Sequence, residues 1–208
     1  MALPYLARYS FLLLAFLGLT SGCKKVCDNE DAPTYSLSPG QQDWRNAYVK
    51  DAVWRFQNAR GYVRTYRVAR ADVLSEGGGG GKSSLCASYF TNYFVGELER
   101  TDSVAHPLEK FFRFQMSPAN AAANKAFDAY AQVGGGYFSL PIDRVEDGRL
   151  PLGPATVGNR TYPAVLESTY APAPPLVPRP TAARRLYVTK AEGIIRFEEF
   201  GGTVWNRL

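Results

Sequence analysis

Val53-Trp54-Arg55-Phe56-Gln57-Asn58-Ala59-Arg60-Gly61-Tyr62-Val63-Arg64-Thr65-Tyr66-Arg67-Val68 decides the fold. Val53–Asn58 and Tyr62–Val68 alternate aromatic and polar residues with the period of two that a half-buried strand requires. Ala59-Arg60-Gly61 between them is a three-residue loop with glycine in the left-handed position, a hairpin connection. That loop sets Asn58 opposite Tyr62, Phe56 opposite Arg64 and Trp54 opposite Tyr66. Trp54, Phe56, Tyr62 and Tyr66 then share one face, and Arg55, Gln57, Thr65 and Arg67 the other. A slip by one residue would mix the two sets, so the register is strongly specified.

The same grammar recurs outward from the hairpin. Tyr89–Glu99 reads as a strand. In Leu108–Met116, Leu108, Phe112, Phe114 and Met116 alternate with Glu109, Arg113 and Gln115, interrupted by Phe111. Tyr137–Ile142 and Arg160–Tyr170 are further strand candidates. Arg184–Thr189, Gly193–Glu199 and Thr203–Leu208 form a meander in which the loop Phe200-Gly201-Gly202 places Phe197 opposite Trp205 and Glu198 opposite Val204. Gly77–Gly81 is expected to be a mobile loop, and the five prolines of 171–180 a stiff one. The alanine-rich stretch 118–131, led by Ser117-Pro118, is the one helix candidate. The fold class expected is mainly β: an antiparallel meander forming a sandwich or partly closed barrel, with at most one short helix near 118–131.

The N-terminus has the layout of an export signal. Arg8 precedes an apolar run, Phe11 to Leu19, too short for the roughly 20 residues of a bilayer span. Leu19-Thr20-Ser21-Gly22-Cys23 follows. This resembles a bacterial lipoprotein signal, with Thr20 standing where the family pattern has an aliphatic residue and Leu19 one place further out, a variation familiar in Bacteroidetes-type lipoproteins. The resemblance implies cleavage before Cys23 and lipidation of its thiol. The expected organisation is a signal peptide over 1–22, a flexible tether over 23–42 that is charged and proline-containing, and a single β-rich domain over 43–208. Removing residues 1–22 from the 208 leaves 186, enough for one domain with its own core.

A second resemblance lies at the other end. Tyr187-Val188-Thr189-Lys190, Gly193-Ile194-Ile195-Arg196-Phe197-Glu198 and Gly202-Thr203-Val204-Trp205 are similar to the ending of small Bacteroidetes lipoproteins, with Arg160–Leu166 fitting their preceding strand. It implies a glycine bend and core aromatics, and no activity. Curved-sheet lipid carriers are a looser analogy.

Loss of Arg8 lowers the formal charge from +5 to +4. So small a surplus on an exported protein argues against nucleic acid as a partner. Of three cysteines, Cys27 and Cys86 remain after lipidation of Cys23 and are candidates for a disulfide in an oxidising compartment. Gly81-Lys82-Ser83 echoes the end of a phosphate-binding loop, but Glu76 stands where its first glycine belongs. His106 is the only histidine, and no Cys-x-x-Cys pair or Gly-x-Ser-x-Gly elbow accompanies it. No catalytic residue, metal ligand or cofactor is therefore expected. Glu198 and Glu199, adjacent in a strand, point to opposite faces. Asp143 with Glu146 or Asp147 is the carboxylate pairing a glycan-acting enzyme would need. Arg55, Arg64 and Arg67 suit carboxylates or sulfated glycans. The function expected is a lipid-anchored, non-enzymatic binding or structural module of the cell envelope, at the outer membrane, with an envelope protein or glycan as partner. The alternatives are a carrier holding an apolar ligand in a barrel-like cavity and a glycan-acting enzyme with paired carboxylates.

Overall fold

The Val53–Val68 hairpin forms in the register its aromatics dictate: Trp54 pairs with Tyr66 and Phe56 with Arg64. Its loop is held by Asn58, whose side-chain oxygen accepts from the Arg60 and Tyr62 N–H groups at 3.0 and 3.1 Å. Gly61 takes φ 82°, the left-handed conformation that its place in the loop requires. The computed structural model describes residues 31–79, 86–102, 107–170 and 177–208.

In chain order the first elements are β1 (Thr34–Tyr35), α1 (Pro39–Asp43), β2 (Val53–Asn58), β3 (Val63–Gly78), β4 (Tyr89–Arg100), β5 (Phe111–Ser117), β6 (Asp128–Val133) and β7 (Gly136–Ser139). Then come α2 (Ile142–Glu146), β8 (Gly153–Val157), β9 (Arg160–Thr169), β10 (Ala183–Thr189), β11 (Gly193–Glu199) and β12 (Val204–Arg207). One sheet holds all twelve strands in the order β7-β6-β5-β4-β3-β2-β12-β11-β10-β9-β8, with β1 pairing β4 off the main path. The chain makes two meanders, β2–β7 and β8–β12, joined where β12 pairs with β2 through Trp205–Asn58, Asn206–Gln57 and Arg207–Phe56. Every ladder is antiparallel except β1 with β4. The sheet curls into a half-barrel. At the closing edge the Ser168 hydroxyl donates to the Ser139 carbonyl at 2.9 Å, and Phe138 meets Tyr170 edge-on at 6.1 Å. A Cβ on Gly136 would collide with the Ala183 carbonyl, so only glycine permits this approach of β7 to β10.

The inner face is a continuous aromatic core. Trp44, Trp54, Phe56, Tyr66, Phe112, Phe114 and Phe197 are each at most 1% exposed. Phe112 stacks on Tyr66 at 4.1 Å and meets Phe197 edge-on at 5.3 Å. The segment after α1 covers this face, and Tyr48 stacks on Phe114 at 4.8 Å. Gly96 makes room for it, since a Cβ there would lie 2.7 Å from the Tyr48 ring. Phe197 lies opposite Trp205 and Glu198 opposite Val204, as the three-residue loop predicts.

Register shifts reset the alternation in four places, one of them between β8 and β9 at Gly153/Ala155. Tyr187 pairs with Arg196 but Val188 with Ile194, leaving Ile195 as the extra residue. Ile195 and Phe197, two apart, consequently face opposite ways. Phe197 joins the main core, while Ile195 packs in a smaller outer cluster with Val157, Tyr162, Val165 and Tyr187. Ala69 in β3 and Arg184 in β10 are likewise extra residues.

Several expectations are corrected. No helix occupies 118–131: Asn120 and Lys125 form an isolated bridge around a turn, and Asp128–Val133 is β6, paired with β5. The two short helices lie elsewhere, at α1 and α2. The segment expected to be tether up to 42 is folded from Thr34, where β1 pairs with β4, and Leu37 is buried. The Ser38 capping box then starts α1, its hydroxyl accepting from Gln41 N–H and the Gln41 side chain accepting from Ser38 N–H. Gly77 and Gly78 belong to β3, opposite Phe90 and Tyr89, rather than to a loop. Leu108 lies in a 3₁₀ turn, Pro107–Glu109, and not in β5; it is exposed whereas Glu109 is buried, 3.5 Å from Arg100. The strand expected over 137–142 stops at Ser139, and Ile142 opens α2.

Candidate functional site

The centre of the inner face is packed with aromatic side chains, and beside Tyr48 a shallow recess of about 270 Å³ remains, lined by Val49, Ala71, Val73 and Phe94. A buried ion pair on this face is structural: Arg64 Nη1 lies 2.7 Å from Glu199 Oε1, and the guanidinium sits 3.9 Å above the Trp205 ring. The pair bridges β3 and β11 across the two intervening strands. Burial pushes the Tyr48 and Tyr66 phenols far above their usual proton affinity, so both stay neutral.

On the outer face, β3, β4, β5 and the segment 117–128 enclose a cleft of about 590 Å³. Its floor comes from outward residues of adjacent strands, Thr91 and Tyr93 of β4 beside Arg113 and Gln115 of β5. These alternate with Phe94, Phe112, Phe114 and Met116, which point into the core. The pleat that builds the core therefore also delivers the cleft's polar groups to one surface. At one end of the cleft β3 finishes in glycine. A Cβ on Gly78 would meet the Tyr89 hydroxyl and ring at 2.5–2.7 Å, so the bare backbone lets Tyr89 lie across the strand. Tyr35 braces that ring edge-on at 6.3 Å.

The opposite wall is the turn that replaces the expected helix. Asn120, 1% exposed, donates from Nδ2 to Thr91 Oγ1 at 2.7 Å and accepts from Ala123 N–H at 3.0 Å. One amide thus closes the turn and fastens it to β4. Asn124 takes φ 51°, a left-handed conformation that asparagine tolerates better than most side chains. On the floor, Gln115 Oε1 accepts from Arg113 Nη2 at 3.0 Å and from the Tyr130 hydroxyl at 2.8 Å. With its oxygen engaged twice, the Gln115 amide is fixed and its NH₂ is left as a donor. Tyr130 is itself stacked on Tyr137 at 4.9 Å. Arg113 Nε is buried with no hydrogen-bond partner, 3.8 Å from Glu97 Oε1. Glu76, Lys125 and Asp128 are the other charged residues of the lining, and none has an ion-pair partner among the described residues.

A second, smaller recess of about 510 Å³ lies where the β8–β9 turn faces β2 and β12. Its cations are engaged. Arg160 is paired with Glu192, and Arg207 donates to the Glu192 carbonyl while lying 4.0 Å over Trp54.

The residues singled out in the sequence fall apart into structural roles. Arg64 is buried on the inner face. Arg55 and Arg67 lie on the outer face, and Arg67 sits 3.7 Å from Asp51. The three do not converge on an anion site. Asp143 and Asp147 are both paired with Arg149, and Glu146 turns away from them to accept from Trp44 Nε1 at 2.7 Å and Lys190 Nζ at 3.0 Å. Glu198 and Glu199 do face opposite ways. Glu198 takes Tyr187, Arg184 and Arg196 as partners, and Glu199 takes Arg64. Cys86 is disulfide-bonded. Cys23, Cys27, His106 and Lys82-Ser83 lie outside the described residues. Among the described residues no group of three or more His, Cys, Asp or Glu could hold a metal ion, and no helix is long and apolar enough to cross a membrane.

The cleft residues were missed in the sequence because they come from four separate segments. Only the outward positions of Leu108–Met116, Arg113 and Gln115, carried a usable signal. No protein family, curated protein or solved structure matches the chain.

Proposed function

We propose that this protein is a lipid-anchored, non-enzymatic binding module of the cell envelope, held to the membrane through Cys23, whose ligand seat is the outer cleft. The observation that carries the binding reading is the contrast between faces. The centre of the inner face is packed with aromatic side chains and keeps only a small apolar recess beside Tyr48, while the larger outer cleft holds pre-oriented polar groups with unused hydrogen-bonding capacity. The lipobox residues Leu19 to Cys23 support the anchor. Acyl chains contribute about 0.8 kcal/mol per buried methylene, and two or more hold durably. An apolar-ligand carrier fits this molecule poorly, since the aromatic residues such a carrier would use to line a cavity are its core.

The cleft lining carries two carboxylates, Glu76 on β3 and Asp128 on β6, separated by β4 and β5. Both are solvent-exposed, whereas the acid of a glycoside-cleaving pair is held in an apolar setting. Binding without cleavage is the better fit.

The test places a photoreactive amino acid at Tyr93 of the full-length protein in cells. Adducts with envelope components are expected from that position and not from Val53, exposed on β2. Their absence from Tyr93, or equal yield from both positions, contradicts the reading. Alkyne–fatty acid labelling that survives Cys23→Ala would contradict the anchor.

A further inference from the structure

We infer that the outer cleft takes a short neutral oligosaccharide. This inference rests on the binding-module reading above and names its ligand. The first argument is charge. Arg113 and Lys125 bring two cations, and Glu76 and Asp128 two carboxylates, so the lining is neutral in sum but carries both strong donors and strong acceptors. A sulfated or phosphorylated ligand would be repelled by Glu76 and Asp128. An apolar ligand would strip water from four charges without replacing it. A polyol does neither, because each hydroxyl donates to a carboxylate and accepts from a cation or amide.

The second argument is the combination of flat rings with planar polar groups. Tyr89, Tyr93 and Phe127 line the cleft, and the first lies across the bare backbone of Gly78 with its ring braced by Tyr35. Such rings give the C–H face of a sugar an apolar surface at little cost in side-chain freedom. Between them stand the Arg113 guanidinium and the Gln115 amide.

The third argument is rigidity. Asn120 pins the turn to β4 and Gln115 is fixed from two sides, so the donors are positioned before a ligand arrives. The volume, about 590 Å³, lies within the range of small-molecule sites.

The experiment is calorimetric titration of the full-length protein in detergent with neutral tetrasaccharides of glucose and of N-acetylglucosamine, α- and β-linked, and with their sulfated counterparts. Saturable binding of at least one neutral tetrasaccharide is expected, with its sulfated form at least tenfold weaker. Tyr93→Ala and Gln115→Ala are each expected to weaken binding at least tenfold. The exposed Lys125→Ala, which threatens the fold least, is expected to weaken it several-fold. Arg160→Ala, in the other recess, should leave it unchanged. Binding of sulfated forms only, or neutral binding indifferent to all three cleft variants, overturns the inference. So does an absence of neutral binding while Tyr93 still cross-links in cells; that result removes the oligosaccharide and spares the binding module. Silence in both assays removes both.

Discussion

The two faces of β4 and β5 are made from alternate residues of the same strands, yet they do opposite things. Phe94, Phe112, Phe114 and Met116 point inward and vanish from solvent. Thr91, Tyr93, Arg113 and Gln115 point outward into a cleft with groups to spare. The inner set interlocks with neighbours on every side, so a change there is a change in stability. The outer set is held by a few hydrogen bonds, so a change there is a change in recognition. One hydrophobic alternation thus separates what folds the protein from what we propose it does.

That division predicts a graded series. Phe112→Ala, in ring contact with Phe56, Tyr66 and Phe197, is expected to cost about 3–5 kcal/mol in chemical denaturation. A loss under about 1 kcal/mol would mean the inner face is loosely packed. Glu199→Ala comes next, because it strands the buried Arg64 guanidinium; about 3–5 kcal/mol is expected from breaking a buried pair. Replacing both partners at once with Met and Leu should recover much of that loss. Gly96→Ala is expected to cost about 1–3 kcal/mol through the clash with Tyr48, with Tyr48→Phe unable to relieve it because the collision is with the ring. At the outer face the exposed Lys125→Ala should stay within about 0.5 kcal/mol of wild type, and Gln115→Ala, which loses two hydrogen bonds, should cost about 1–2 kcal/mol, while both weaken ligand capture.

A smaller effect follows from acid. Burial disfavours ionisation of Asp102, but hydrogen bonds from the Arg100 guanidinium and the Thr65 N–H outweigh it and hold the carboxyl below its usual range. A depressed carboxylate contributes stability that is complete above its unfolded-state value and lost as pH falls through the folded one. Denaturation curves should therefore weaken below about pH 4, and Asp102→Asn should flatten that limb.

What could be read in the chain divides along the same line. Both hairpin registers were legible because most aromatic and polar residues segregate, with Arg64 and Glu199 the charged exceptions on the aromatic face, and only one pairing keeps Trp54 with Tyr66 or Phe197 with Trp205 together. The 118–131 stretch misled because alanine suits either structure. Ala129, Ala131 and Val133 keep a strand's period of two, which alanine-rich composition hides, and pairing with β5 overrode helix propensity. The bulge at Ile195 has no local signal, so nothing foretold that Ile195 and Phe197 face apart. The cleft was illegible for a different reason: Glu76, Thr91, Gln115 and Asn120 meet only once three strands and a turn are assembled.

The chain's three tryptophans, Trp44, Trp54 and Trp205, all lie in the core, which permits a direct test of the central claim. Amide and indole chemical shifts of the full-length protein in micelles would be followed as a neutral tetrasaccharide is added. The account predicts saturable movement of resonances from 76–79, 89–93, 113–117 and 120–128, with the three indole signals unmoved. Movement of the indoles with the cleft resonances still would contradict it, placing the binding face inside the half-barrel rather than on its outside.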